Sequence, residues 1–461
     1  MTKGKKVLAI TLATTMAFSC LTACGSKKGG NNEAKPTPTA IIEDLVKVDP
    51  ELGITAPDEV ENNADAQKVS LKVWAPAEEQ DLMEKLCTTF DKAHAEYDID
   101  FTYEVSSEAD AANNLTNDPQ SAADVFMFAG DQLSNLADGN LLFDLSALIP
   151  DNPEIEEKYD DQAYNSCLID GKLLAFPFTA NQFFMYYNKS MLTEEEVKSL
   201  DDILAKDLGT APSGEKVKNF GFDLANGWYI LAFMYGNGCT LYGDGTQEKE
   251  CNWNNEDGKA VVKYLNNMIA TGKFFSNAND DGLPLLEKGE LATVVTGSWN
   301  SNAVKAKLGD NYAACVLPTF KIDGKECHMK PFADFKMIGV NAFAGEPRPA
   351  AELAYFLADN YSQWQRLQIR SYAPTVKILQ DYVTDDTKEK PEPIDPAVIA
   401  ATEQMSAENS SLRPTTPQLK NYWSFGQNLG SLIYKQDERI TDESKMQDTL
   451  DLIVKGITTV L

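Results

Sequence analysis

Histidine is nearly missing: His94 and His328 are the two in 461 residues, too little imidazole for a multi-histidine zinc site or a histidine-centred catalytic network. Positive charge is also short. Against 70 Asp+Glu there are 41 Lys+Arg, and the resulting formal charge of −29 repels phosphate backbones, so no nucleic-acid partner is expected. The chain has no CxxC pair, no GxSxG elbow, no P-loop and no dinucleotide GxGxxG. Gly236-Asn237-Gly238 lacks the third glycine, and the acidic run 252–257 lacks the alternating ligands and glycine of a calcium loop. No metal, no cofactor and no enzyme activity are expected. A two-carboxylate glycoside hydrolase is the enzyme class to weigh, because so many acids guarantee suitable pairs by number alone.

What is present begins at the N-terminus. Lys3, Lys5 and Lys6 precede an uncharged run over 7–26, the charge-then-apolar order of an export signal, too short and too broken by Thr and Ser to remain as a membrane helix. Leu21-Thr22-Ala23-Cys24 resembles the bacterial lipobox, which implies a signal peptide over 1–23 and a lipid on Cys24 that anchors the mature chain to the membrane. Residues 24–68 are polar, rich in Gly, Asn, Pro and acids, and read as a flexible tether. Tether and lipid together place the protein outside the cytoplasm on the outer face of the cytoplasmic membrane, an arrangement suited to a Gram-positive cell with one membrane.

The body alternates strand and helix patterns. Val69–Trp74 alternates apolar and polar positions, and Leu82, Leu86 and Phe90 then recur at helical spacing. Residues 98–105 and 171–178 read as strands, as do 183–187, 291–296, 313–317 and 337–341. Residues 123–128 read as an interior parallel strand. Residues 256–270 and one long pattern over 348–369 read as helices. The fold class is α/β.

Asp170-Gly171-Lys172-Leu173-Leu174-Ala175-Phe176-Pro177-Phe178, followed by Met185-Tyr186-Tyr187-Asn188-Lys189-Ser190-Met191-Leu192, resembles the family of extracellular solute-binding proteins that includes maltose-binding protein. The resemblance continues through residues 288–299, through Val316-Leu317-Pro318-Thr319-Phe320 and through Arg413-Pro414 with 418–426. It implies a two-lobed, periplasmic-binding-protein-like α/β fold with a ligand cleft between discontinuous lobes, one from 69–179 and 332–383, the other from 180–331 and 384–461. It also implies the role of substrate-binding component of an ABC importer, acting as a monomer that hands a maltose or maltodextrin-type α-1,4-gluco-oligosaccharide to the transmembrane permease subunits.

Carried over position by position, the resemblance assigns Trp299 and Trp423 as sugar-stacking tryptophans, with Trp228 where the maltose binders have Tyr. An indole face suits the C–H-rich face of a sugar ring. Asp131 and Glu78 match carboxylates that accept hydrogen bonds from sugar hydroxyls, the stronger kind because the acceptor is charged. The chain departs from the maltose binders at Phe128 (Trp there), Glu79 (Lys), Gln132 and Gln427 (Arg), and Asn181 and Asn226 (Glu). Amides in place of charges suit a neutral glycan and leave another neutral oligosaccharide open as substrate. A surface glycan adhesin not coupled to transport is the other alternative. Trp74, Trp253 and Trp364 read as structural. The equally spaced pairs Cys239/Cys251 and Cys315/Cys327 read either as hairpin disulfides or as buried small hydrophobes.

Overall fold

The computed structural model describes residues 44–459 except 62, 149–151, 386, 388, 389, 391, 392, 415 and 417. The expected signal peptide over 1–23, the expected lipid site Cys24 and the first part of the expected tether over 24–68 lie outside the described residues. Ten strands carry the architecture: β1 (Gln67–Ala75), β2 (Tyr97–Val105), β3 (Val125–Ala129), β4 (Phe176–Ala180), β5 (Phe183–Asn188), β6 (Phe220–Phe222), β7 (Phe274–Ser276), β8 (Thr293–Gly297), β9 (Tyr312–Cys315) and β10 (Phe335–Val340). They form two five-stranded sheets, ordered β2-β1-β3-β10-β4 and β9-β5-β8-β6-β7. Eight helices matter below: α1 (Gln80–Ala93), α2 (Gly227–Gly236), α3 (Glu256–Ala270), α4 (Pro347–Leu357), α5 (Asn360–Arg370), α6 (Pro396–Gln404), α7 (Leu419–Tyr434) and α8 (Glu443–Ile457).

Each sheet has its own core. The stripe Leu82, Leu86 and Phe90 of α1 is fully buried on the first sheet together with Val69, Leu71, Phe126 and Phe128. Helices α2, α3, α7 and α8 cover the second sheet through Ile230, Phe233, Val261, Leu429 and Ile453. This is a two-lobed α/β fold. The chain passes between the sheets with few residues: Asn181 and Gln182 alone separate β4 from β5. Their neighbours bind them in place, since Asn181 N–H donates to the Asp334 carbonyl (2.8 Å) and Gln182 Nε2 donates to Ser410 Oγ (3.0 Å).

Three sequence expectations change. The long helical pattern over 348–369 is two helices, because Asp359 adopts an extended conformation and its carboxylate caps α5 by accepting from Ser362 N–H (2.8 Å). Strand β3 is interior, yet it runs parallel to β1 and antiparallel to β10. Part of the stretch expected as a tether over 24–68 packs on the body. Leu45, Val48, Leu52 and Ile54 pack on the first core, and Val46 exchanges two 2.7 Å hydrogen bonds with the Gln365 amide. Trp364 Nε1 donates to the Lys47 carbonyl, and Val60 N–H to the Lys92 carbonyl.

Candidate ligand-binding site

Aromatic surface gathers where α2 and α7 begin. Asn226 caps α2 by accepting from Trp228 N–H (2.9 Å), which holds Trp228 in the first turn. Gly227 lets α7 close in: a Cβ there would stand 3.0 Å from the Trp423 carbonyl oxygen. The Trp228 and Trp423 ring centres are consequently 6.1 Å apart, both half-buried, and Phe332 meets them at 6.0 and 6.4 Å. Trp299 follows β8, half-buried, with its six-membered ring lying over Gly297.

Charged groups sit beside these rings. Lys336 Nζ donates to Glu108 Oε1 (2.8 Å), stands 5.2 Å from the Trp299 ring centre, and acts on Glu78. Burial and the nearby Glu108 carboxylate push Glu78 up to about 7. Asp131 is pushed up to about 7 as well, by burial and by Asp334, against the opposing pull of Arg413. Arg413 Nε donates to Asp334 Oδ1 (3.0 Å) and Nη2 to the Gly130 carbonyl (3.2 Å).

One short segment joins these groups. Phe332 touches Trp228 and Trp423, Asp334 pairs with Arg413, and Lys336 reaches Trp299. Alternate residues of an extended chain share a face, so the second crossing between the sheets presents this trio to one side. Sequence reasoning missed Phe332, Asp334, Lys336, Glu108 and Arg413 as site residues. The available signal was Asp334 and Lys336 alternating inside the apolar run Phe332–Val340.

Other expected site residues serve the scaffold. Glu79 is fully buried and pairs with Arg366 (3.0 Å) and Arg370 (3.5 Å), so it has no surface for a ligand. Phe128 is fully buried against Phe126, because β3 is covered on both faces. Gln132 braces a loop: its Nε2 donates to the carbonyls of Glu108 (2.6 Å) and Ala109 (3.0 Å), and its Oε1 accepts from Ala112 N–H. Asn181 is buried at the first crossing, and Gln427 is exposed on α7 one turn beyond Trp423. Trp74, Trp253 and Trp364 are buried. Cys87, Cys167, Cys239, Cys251, Cys315 and Cys327 are free thiols, and burial pushes Cys251 and Cys315 up to about 12. A cavity of about 340 Å³ lined by Phe90, His94, Arg348 and Glu352 contains none of the site residues.

Aromatic faces flanked by hydrogen-bonding acids can bind a molecule with apolar faces and polar edges. Residues 85–394 match the family described as bacterial extracellular solute-binding proteins. The chain belongs to this family. A solute-binding protein of this kind works outside the cytoplasm and binds its solute without transforming it. Among the described residues no helix is long and apolar enough to cross a membrane.

Its relatives bind oligosaccharides. The galactooligosaccharide-binding protein of Bacillus subtilis (strain 168) is 27% identical over 375 residues, 77% of this chain and 82% of the relative. A solved structure with acarbose is 30% identical, with a TM-score of 0.75 over 85% of this chain and 99% of its own. The maltodextrin-binding protein MalE1 from L. casei BL23, solved without ligand, is 27% identical with a TM-score of 0.71, again over 85% and 99%.

Proposed function

We propose that this solute-binding protein is the lipid-anchored receptor of a carbohydrate ABC importer, capturing a neutral oligosaccharide of maltodextrin type and delivering it to the permease. The observation that carries the reading is the pair of half-buried rings Trp228 and Trp423, 6.1 Å apart, linked through the segment Phe332–Lys336 to half-buried Trp299 and to acids that can accept from hydroxyls, Glu78 and Asp131. Stacking supplies affinity for the sugar faces, and carboxyl oxygens that accept from hydroxyls orient the edges.

In this reading the lobes are 69–179 with 332–383 and 180–331 with 384–461, and the ligand draws them together. A ligand that touches both lobes has the differential affinity for the closed form that such a shift requires. Cys24 carries the lipid, and the free part of the tether holds a monomeric body off the membrane of a Gram-positive cell. Support for a second reading, another neutral oligosaccharide, comes from the galactooligosaccharide relative and from the burial of Glu79 and Phe128, which removes two expected contacts.

Isothermal titration of maltose, maltotriose, maltopentaose, a galactooligosaccharide and xylotriose separates these readings. Micromolar or tighter binding confined to the α-glucans is the expected result. Binding confined to the galactooligosaccharide keeps the receptor and replaces its substrate, and silence across the panel contradicts both. Unchanged uptake of the bound sugar after deletion of the gene would identify an adhesin instead.

A further inference from the structure

Trp299 has one face taken by its own chain. A Cβ on Gly297 would lie 1.9 Å from Cζ3 and 2.2 and 2.3 Å from its ring neighbours Cη2 and Cε3. So even an approach to three consecutive atoms places Gly297 against the flat of the six-membered ring, because an approach from the rim would favour one atom far more. The opposite face is the one open to a ligand. Lys336 Nζ lies over the ring at 5.2 Å from its centre, within cation–π range. Gly297 covers one side, which leaves the other side as the one open to an ammonium over the ring.

The two partners belong to different sheets: Lys336 to β10 of the first, Trp299 to the turn after β8 of the second. Lys336 is nearly inaccessible at 4% exposure, and its ion pair with Glu108 is buried with it. We propose that Lys336 is a built-in competitor for the Trp299 stacking face, a specificity-determining residue that bridges the sheets and must be displaced before a sugar ring can stack there. The proposal rests on the sugar-receptor reading for the identity of the incoming ligand, and on geometry alone for the bridge.

Displacement does not strand the charge. Glu108 stays bonded to the ammonium, and Lys336 Nζ also lies 5.5 Å from the ring centre of Tyr372, whose buried hydroxyl has no hydrogen-bond partner among the described residues. Glu78 is close enough to interact electrostatically. The lysine can therefore leave the indole and remain paired. Each ligand that uses the Trp299 face gives up the Lys336 contact, so the residue discriminates against sugars too short to make compensating contacts at Trp228 and Trp423.

The test compares the wild-type chain with Lys336→Met and with the double variant Lys336→Met/Glu108→Gln, which leaves no unpaired carboxylate and guards against misfolding. Small-angle scattering of the ligand-free proteins reads the bridge, and calorimetry with maltotriose reads the competition. The ligand-free variants are expected to show a larger radius of gyration, and maltotriose to bind them about thirtyfold more tightly, the weight of a desolvated cation–π contact. An unchanged radius of gyration overturns the bridge, and weaker maltotriose binding overturns the competition by making Lys336 a direct ligand contact. If maltotriose binds none of the proteins, the substrate reading fails while the scattering result still decides the bridge.

Discussion

Glu78 and Glu79 are neighbours in sequence and opposites in role. After β1 the chain turns into α1, and consecutive side chains diverge: Glu78 stays half-exposed near Lys336, while Glu79 enters the core between Arg366 and Arg370. Removing one partner of a buried ion pair leaves the other uncompensated, so Glu79→Gln should destabilise the fold by about 3–5 kcal/mol in urea titrations. The raised acids give a second expectation. Glu78 and Asp131 titrate near 7 in the fold and near 4 in an unfolded chain, so between these values the folded state holds more protons. Their ionisation therefore lowers stability as pH rises from about 4 to 7. Asp131→Asn should gain melting temperature relative to wild type at pH 8 and lose that advantage at pH 5; an equal difference at both values would contradict the assignment. Which tryptophans are structural was legible, since Trp74, Trp253 and Trp364 each sit within or against a regular hydrophobic pattern. That Glu79 meets two arginines 287 and 291 positions away was not, because no local pattern carries it.

Helix α7 owes its place to a glycine on another element. Gly227→Ala would press a methyl group on the Trp423 carbonyl and push α7 outward, separating Trp228 from Trp423. The expected outcome is a loss of sugar affinity of tenfold or more by calorimetry, with melting temperature lowered only modestly. The segment over 44–54 makes the opposite case, a stretch with tether composition that packs. Leu52 is buried on the first core, and Leu52→Ala should cost about 2 kcal/mol or more in unfolding measurements. A freely moving tether would lose nothing. The elements with sustained periodicity, α1 and α3 above all, were legible from spacing. The break at Asp359 and the docking of 44–54 were not: the first is a cap inside a continuous apolar period, and the second depends on the distant Trp364 and Gln365.

At the scale of the whole molecule, the two sheets are joined where Asn181, Gln182 and the segment Phe332–Lys336 lie side by side, and that segment serves both as connection and as site wall. In the proposed receptor reading, a ligand held there touches the joint about which the lobes close, and binding is thereby coupled to closure. Family resemblance made the two-lobed architecture legible, whereas Phe332, Asp334 and Lys336 become a group only once the crossings are folded against each other. The most direct measurement is a crystal structure of the chain with maltotriose. Glucose rings are expected stacked on Trp228, Trp299 and Trp423 between the two sheets, with hydroxyls donating to Glu78 or Asp131 and Lys336 moved off the indole. Sugar bound elsewhere, with the three tryptophan faces uncovered, would contradict it.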